Sequence, residues 1–313
     1  MKPFLIISLD FELHWGRFDK KDLEQNLLYY RRTRESIPEV LELFHQYEIH
    51  ATWATVGSLM AESEEEWKTF WPELKPTYEE NRFSAYVWRQ NQSKIWEEAL
   101  FAPDLVKRII DCPGQELGSH TFSHYYTCEK GQQKEEFRAD LIAAKKIAWE
   151  KFERKLYSLV FPRNQMDLES VNIVKEEGFR AIRTNPSDWY WKKPEDENLV
   201  KRIFRTGDTL YPLGSKTTFN KPLRKQGEIL EIPASRLLRP FKESSLFNQR
   251  RIRRIKGEMD YAARNGEVYH LWWHPHNFGN FPKENLLCLK ELLDHFKYLR
   301  NEFGMTSISM SEV

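Results

Sequence analysis

Cysteine is scarce in this chain of 313 residues: Cys112, Cys128 and Cys288 are odd in number, widely spaced and without a CxxC pair. That set argues against a disulfide framework and a thiolate zinc site, and it is the usage expected of a cytoplasmic protein. Long apolar runs are lacking too. No stretch approaches the ~20 apolar residues that a membrane-spanning helix needs. Met1-Lys2-Pro3 leads into a short apolar run that Asp10 and Glu12 interrupt at once, whereas a signal peptide needs a longer one and a small-residue cleavage site. The N-terminus is therefore expected to belong to the mature fold. An excess of one charge is also missing. Lys and Arg total 48 against 47 Asp and Glu, so no global field draws nucleic acid or an acidic membrane. Neither an internal repeat nor a low-complexity linker divides the chain. With 40% hydrophobic and 14% aromatic residues, positions 1–313 are expected to form a single domain.

What is present is an alternation of short apolar runs with longer helical patterns, the signature of β-α units around a largely parallel sheet. Seven runs have strand length: Phe4-Leu9, His50-Val56, Glu116-Ser119, Leu156-Phe161, Ala181-Arg183, Ile229-Ile232 and Val268-Trp273. Seven suit a closed or nearly closed barrel. Helical spacing marks Thr33 to Glu48, Lys134 to Lys155, Gln249 to Asn265 and Lys283 to Phe303, and Gly178 and Gly266 stand where helix C-termini are expected. Two segments fit this scheme poorly. Residues 62–98, rich in Trp, Glu and Tyr, and 185–225, mixing Pro, Gly, Trp and charge, read as insertions at a barrel rim.

Chemistry-bearing residues gather at strand ends. Asp10 and Glu12 end the first run, and strand alternation puts both on one face, so that they converge on one pocket. His120 and His124 follow the third run and lie one turn apart if a helix begins there, with both imidazoles facing one point. Two histidines and one carboxylate suffice to hold a divalent metal with open positions, which leaves the second carboxylate as a base. His274 ends the last run, and His276 is a weaker alternative for the same acid-base role, whereas His270, inside the run, reads as a core histidine. Arg163, in Phe161-Pro162-Arg163-Asn164-Gln165, stands where it can pair with Asp10. The backbone N–H groups of that turn can face an oxyanion. Trp189, Tyr190, Trp191, Trp272 and Trp273 offer flat faces for a ligand ring. The basic run from Arg250 to Lys256 reads as a solvated helix face with Ile252 and Ile255 turned inward, not as a nucleic-acid patch.

In this order, Asp10-Phe11-Glu12, His120-Thr121-Phe122-Ser123-His124, Phe161-Pro162-Arg163-Asn164, Asp188-Trp189 and Trp272-Trp273-His274 resemble the motifs of the polysaccharide deacetylase family, the NodB-homology or carbohydrate esterase 4 group. The resemblance spans nearly the whole chain. It implies a distorted (β/α)7 barrel, with α and β elements alternating, that removes an N-acetyl or related N-acyl group from an amino sugar with one divalent metal ion, zinc by default. It also implies roles: Asp10 as base, His274 as general acid, Arg163 as the residue orienting the base, and Glu12, His120 and His124 as metal ligands. Asn164, Asp188, Trp189 and Trp273 fall to substrate binding. Three departures stand out. Phe11 intervenes in the first motif and Glu replaces its second Asp, Pro162-Arg163-Asn164 replaces the usual third motif, and Trp272 occupies a position that shapes the acyl pocket.

Without a leader, the substrate expected is a small amino-sugar intermediate of surface-polysaccharide synthesis, nucleotide- or lipid-linked, in the cytoplasm. Two other classes stay open. One is a metal-independent glycoside hydrolase that uses paired carboxylates; the other is a catalytically inactive carbohydrate-binding protein.

Overall fold

The computed structural model describes residues 2–192, 198–214, 217–222 and 227–313. Among the described residues nine strands form one sheet: β1 (Phe4–Phe11), β2 (Ala51–Thr55), β3 (Gln115–Ser119), β4 (Ser158–Val160), β5 (Ala181–Thr184), β6 (Leu230–Pro233), β7 (Arg236–Leu237), β8 (Val268–Trp273) and β9 (Thr306–Ile308). Their order is β6-β5-β4-β3-β2-β1-β8-β7, with β9 also on β1, and each of these ladders is parallel. All seven expected strands are present. A parallel sheet buried on both faces accounts for their near-continuous apolar character.

The two strands at the ends of that order, β6 and β7, are consecutive in the chain and separated only by Ala234 and Ser235. Ala234 N–H still bonds the Thr184 carbonyl of β5 (2.9 Å), while Ser235 N–H already bonds the His270 carbonyl of β8 (2.8 Å). One bent strand thus changes partner midway and closes the sheet on itself. Counting it once, and leaving aside β9, which pairs only with β1, gives seven members, the distorted (β/α)7 barrel.

Alternation along β1 sorts its side chains. Leu5, Ile7, Leu9 and Phe11 face the surrounding helices, with Trp53, Phe44 and Leu293 in the same apolar cluster, while Ile6 joins Val160, Ile232, Val268 and Met310 in a smaller cluster inside the barrel. Long helices cover the outside, among them Leu27–Gln46, Lys134–Phe152, Ser245–Asn265 and Pro282–Phe303. The turn Met310–Glu312 plugs the N-terminal mouth, where Met310 N–H bonds Thr52 Oγ1 (2.8 Å). Segment 62–98 is organised by aromatic contacts rather than by helical period: Trp67 stacks on Tyr86 (5.7 Å between centroids, 9° between planes) and meets Trp15 (5.1 Å). Part of segment 185–225 lies outside the described residues.

Candidate metal centre and active site

Above the apolar layer the barrel interior becomes polar, and β1 supplies Ser8 and Asp10 to it. Glu12 follows as β1 ends and the short helix Leu13–Gly16 begins. Its side chain curls back over the Gly16 backbone so closely that a Cβ there would lie 2.0 Å from the carboxyl carbon. Only glycine leaves that space.

His120 and His124 do not stand on a helix, contrary to the spacing argument. They occupy an irregular loop after β3, in which Thr121 (φ 64°) and His124 (φ 59°) adopt left-handed backbone. Tertiary contacts override the local pattern. Asp140, fully buried on the helix Lys134–Phe152, accepts from the Phe122 amide (2.6 Å), the Ser123 amide (3.1 Å) and the Ser123 hydroxyl (2.5 Å). The Gly57 and Ser58 amides donate to the Thr121 and Phe122 carbonyls. Burial pushes the Asp140 carboxyl up to about 6 against the pull of those donors.

The loop delivers both imidazoles to one carboxylate. His124 Nε2 lies 3.1 Å and His120 Nε2 3.3 Å from Glu12 Oε2, and one ligand atom from each residue falls within 4.8 Å of the others. His120 Nδ1 bonds the Val160 carbonyl (2.8 Å), which assigns its proton to Nδ1 and turns the Nε2 lone pair inward. His124 Nδ1 bonds Tyr126 Oη (3.1 Å). Burial lowers His124 to about 4. Burial alone would raise Glu12, but His274 and the two imidazoles hold it well below the usual carboxylate range. Two imidazole nitrogens and one carboxylate oxygen, buried within 4.8 Å of one another, are a donor set of the kind a divalent cation takes, so the residues present fit one.

Asp10 is held by a different arginine from the one expected. Arg183, on β5 and fully buried, grips it bidentately (Nη1–Oδ1 2.6 Å, Nη2–Oδ2 2.7 Å). Arg163 instead bonds Asp19 and Glu129 and lies over the Tyr126 ring (4.0 Å), since its left-handed backbone (φ 55°) directs it there. Burial alone would raise Asp10, yet Arg183, His120 and His274 keep it below its ordinary value. Asn164, expected to meet substrate, accepts from Arg183 Nη2 (3.0 Å) and so steadies that guanidinium. Ser8 accepts from Arg183 (3.1 Å) and pairs with His270 Nε2 (2.8 Å), whose Nδ1 reaches the Pro233 carbonyl (3.1 Å). His270 is thus a hydrogen-bonded interior histidine, lowered to about 3 by burial.

His274 closes the other side. Its Nε2 stands 3.7 Å from Asp10 Oδ2 and 3.7 Å from Glu12 Oε1; its side chain is 26% exposed, whereas those of Asp10, Glu12, His120 and His124 are each below 5%. His276 Nδ1, buried and without a hydrogen bond, lies 3.6 Å from Glu12 Oε1. Trp273 does not reach the site. Alternation on β8 turns it outward, where it stacks on Phe278 and meets Phe44. Trp272 is the one turned inward, under the Arg183 guanidinium (4.2 Å) and beside His274 (5.6 Å). Asp188 accepts from Tyr190 (3.1 Å), and half-exposed Trp189 packs on Phe204 (5.0 Å) of the helix Leu199–Gly207. Sequence reasoning missed Arg183, Asp140 and Gly16. A charged residue inside the apolar strand Ala181–Thr184 was the available signal for Arg183, because a buried charge needs a partner.

A family model described as polysaccharide deacetylase matches residues 18–182, more than half of the chain. The matched span holds His120 and His124, while Asp10, Glu12, Arg183 and His274 flank it. Among solved structures, one from Mycobacterium smegmatis assigned to the polysaccharide deacetylases superposes with a TM-score of 0.61 at 12% identity over 100% of this chain and 89% of that one. One from Pseudomonas aeruginosa PAO1, assigned likewise, gives 0.58 at 11% identity over 99% and 88%. A PuuE allantoinase gives 0.55 at 12% over 99% and 87%. At such identities the likeness is one of fold. No curated protein matches the chain.

Proposed function

Because this chain belongs to the polysaccharide deacetylase family, we propose that it is a metal-dependent sugar N-deacetylase, releasing an N-acetyl or related N-acyl group from an amino sugar. The observation that carries this is the division of labour inside the barrel. His120 and His124 converge on one carboxylate oxygen of Glu12, while Asp10, held separately by Arg183, and His274 flank that point. Glu12, His120 and His124 would hold a divalent cation, which when bound would supply Lewis acidity toward a water and the acyl carbonyl. Zinc is the metal proposed, since two imidazoles and a carboxylate are ligands it favours.

Asp10 accepts the proton of the attacking water. Arg183 keeps it ionised, which ensures an empty acceptor and makes it a weak base, so it depends on a water acidified by its surroundings. His274, on the other side of the site from the buried carboxylates and nearer solvent, donates to the departing nitrogen. Trp272 forms an apolar wall beside His274. Glycoside hydrolysis by the same carboxylates would need one of them as an acid with a raised pKa. Both are lowered, which supports amide hydrolysis instead.

Within this class we propose a nucleotide- or lipid-linked amino-sugar intermediate as substrate. The test is an assay of metal-loaded protein against nucleotide-linked N-acetyl and N-formyl sugars, following the acid released. Asp10→Asn should abolish turnover while the protein still retains its metal by elemental analysis. Undiminished deacetylation by that variant would refute the assignment.

A further inference from the structure

The proposed reaction gives no work to Arg163 or to the rim segment 62–98, yet both meet at one fully buried side chain, Tyr126. The Tyr126 backbone N–H donates to Tyr78 Oη (2.8 Å), and its ring meets Phe83 edge to face (5.7 Å between centroids). The Arg163 guanidinium lies 4.0 Å from the centre of the same ring. Arg163 is itself fixed from two sides. It bonds Asp19, from the segment after β1, and Glu129 (3.0 Å), which also accepts from Gln165 Nε2 (3.0 Å). What this box holds in place is a hydroxyl. Among the described residues that hydroxyl bonds one side chain, at His124 Nδ1 (3.1 Å).

The two histidines differ in what stands behind them. His120 Nδ1 faces the Val160 carbonyl, which can only accept, so its proton stays on Nδ1 and its Nε2 lone pair stays free. His124 Nδ1 faces a hydroxyl, which can donate or accept. The difference matters because His124 Nε2 has two uses. In its hydrogen bond to Glu12 Oε2 (3.1 Å) the ring proton is on Nε2, and Tyr126 must donate to Nδ1. His120 Nε2, 3.3 Å from the same oxygen, brings no proton to it. For His124 Nε2 to hold a cation the ring proton must be on Nδ1, and Tyr126 must accept. The ring loses one proton at Nε2 and gains one at Nδ1, both exchanged with water, so the change releases no net proton. A carbonyl behind His124 would allow only the second arrangement.

We propose that Tyr126, clamped by Arg163 and the rim segment, is a positioning residue of the metal centre: its hydroxyl turns over to serve both tautomers of His124. His124 is then the ligand that takes up and releases the cation, while His120 stays set for it. The arginine expected to orient the base thus orients a metal ligand instead, acting through the Tyr126 ring. This inference rests on the reading of Glu12, His120 and His124 as metal ligands.

The test is a zinc titration of the full chain followed by 15N-histidine NMR, which distinguishes the tautomers of each ring. His124 is expected to pass from Nε2–H to Nδ1–H as zinc is added, and His120 to keep its proton on Nδ1 throughout. Tyr126→Phe keeps the packed ring and removes only the hydroxyl. Its zinc affinity, measured by competition with a chromogenic chelator, should fall about ten- to hundredfold, and the visible absorption of the cobalt-loaded variant should differ from that of the wild type. Arg163→Met should weaken zinc as well, but add little in the Tyr126→Phe background, because it acts through that phenol. A single His124 tautomer through the whole titration overturns the proposal. So does zinc affinity unchanged in Tyr126→Phe, and so do losses that add in full in the double variant. Wild-type protein that takes up no zinc sinks the metal reading and this inference with it, whereas zinc uptake indifferent to Tyr126 sinks only the inference.

Discussion

Removing Arg183 would leave Asp10 as a buried carboxylate without its counter-charge. Arg183→Met should cost about 3–5 kcal/mol in urea unfolding. It should also move the acid limb of the kcat/KM profile to higher pH, because the guanidinium is what holds Asp10 low. Arg163→Met, which disturbs Asp19 and Glu129 instead, should leave that limb where it is. An unmoved limb in Arg183→Met would show that another group sets it. At this scale the sequence was informative about residue type and strand end, so Asp10, Glu12, His120, His124 and His274 could be singled out. It was uninformative about which arginine faces in. Arg163 follows a strand in a suggestive motif, but its positive φ turns it away, and no local pattern announces that torsion.

Elements position the ligands through contacts that span the chain. Asp140 lies 16 residues beyond His124, yet its carboxylate shapes the loop on which both histidines sit. Asp140→Asn would point an NH2 group at backbone N–H donors or leave one of them unpaired, a penalty of about 1–3 kcal/mol. Metal titration should show an affinity loss of roughly ten- to hundredfold, with the barrel's circular dichroism retained. Gly16→Ala should act on the same site from the other side, displacing Glu12 and weakening metal binding while leaving the barrel strands in place; undiminished affinity would mean that Glu12 has another way to reach the cation. The HxxxH spacing was legible, and its conformation was not, since a helix and this pinned loop both bring the two imidazoles together.

For the whole molecule, the buried histidines set the acid limit of stability. His270 titrates near 6.5 when unfolded and at about 3 when folded. Below 6.5 the unfolded chain binds the extra proton, so stability present above that pH is lost as pH falls toward 3, at about 1.4 kcal/mol per pH unit. Urea unfolding across that window should show the slope, and His270→Gln should flatten it by that amount. The barrel itself was readable from seven apolar runs alternating with helices. Strands β7 and β9 were not, because two and three residues are too few for a period to register.

The bent strand that joins β6 to β7 also fixes where the chain tolerates a change of length. Side chains in a strand alternate faces, so one residue inserted at Ala234 would exchange the inner and outer positions of everything that follows in β7. Arg236 would leave Glu258 and Asp208 for the barrel lumen, and the loop bearing Arg239 would shift against β8. A largely exposed stretch such as Asn91 to Lys94 can lengthen at little cost, since loop-closure entropy grows slowly. Length variation among descendants of this chain should therefore gather in the segments around the rim and be absent from the two residues at the seam.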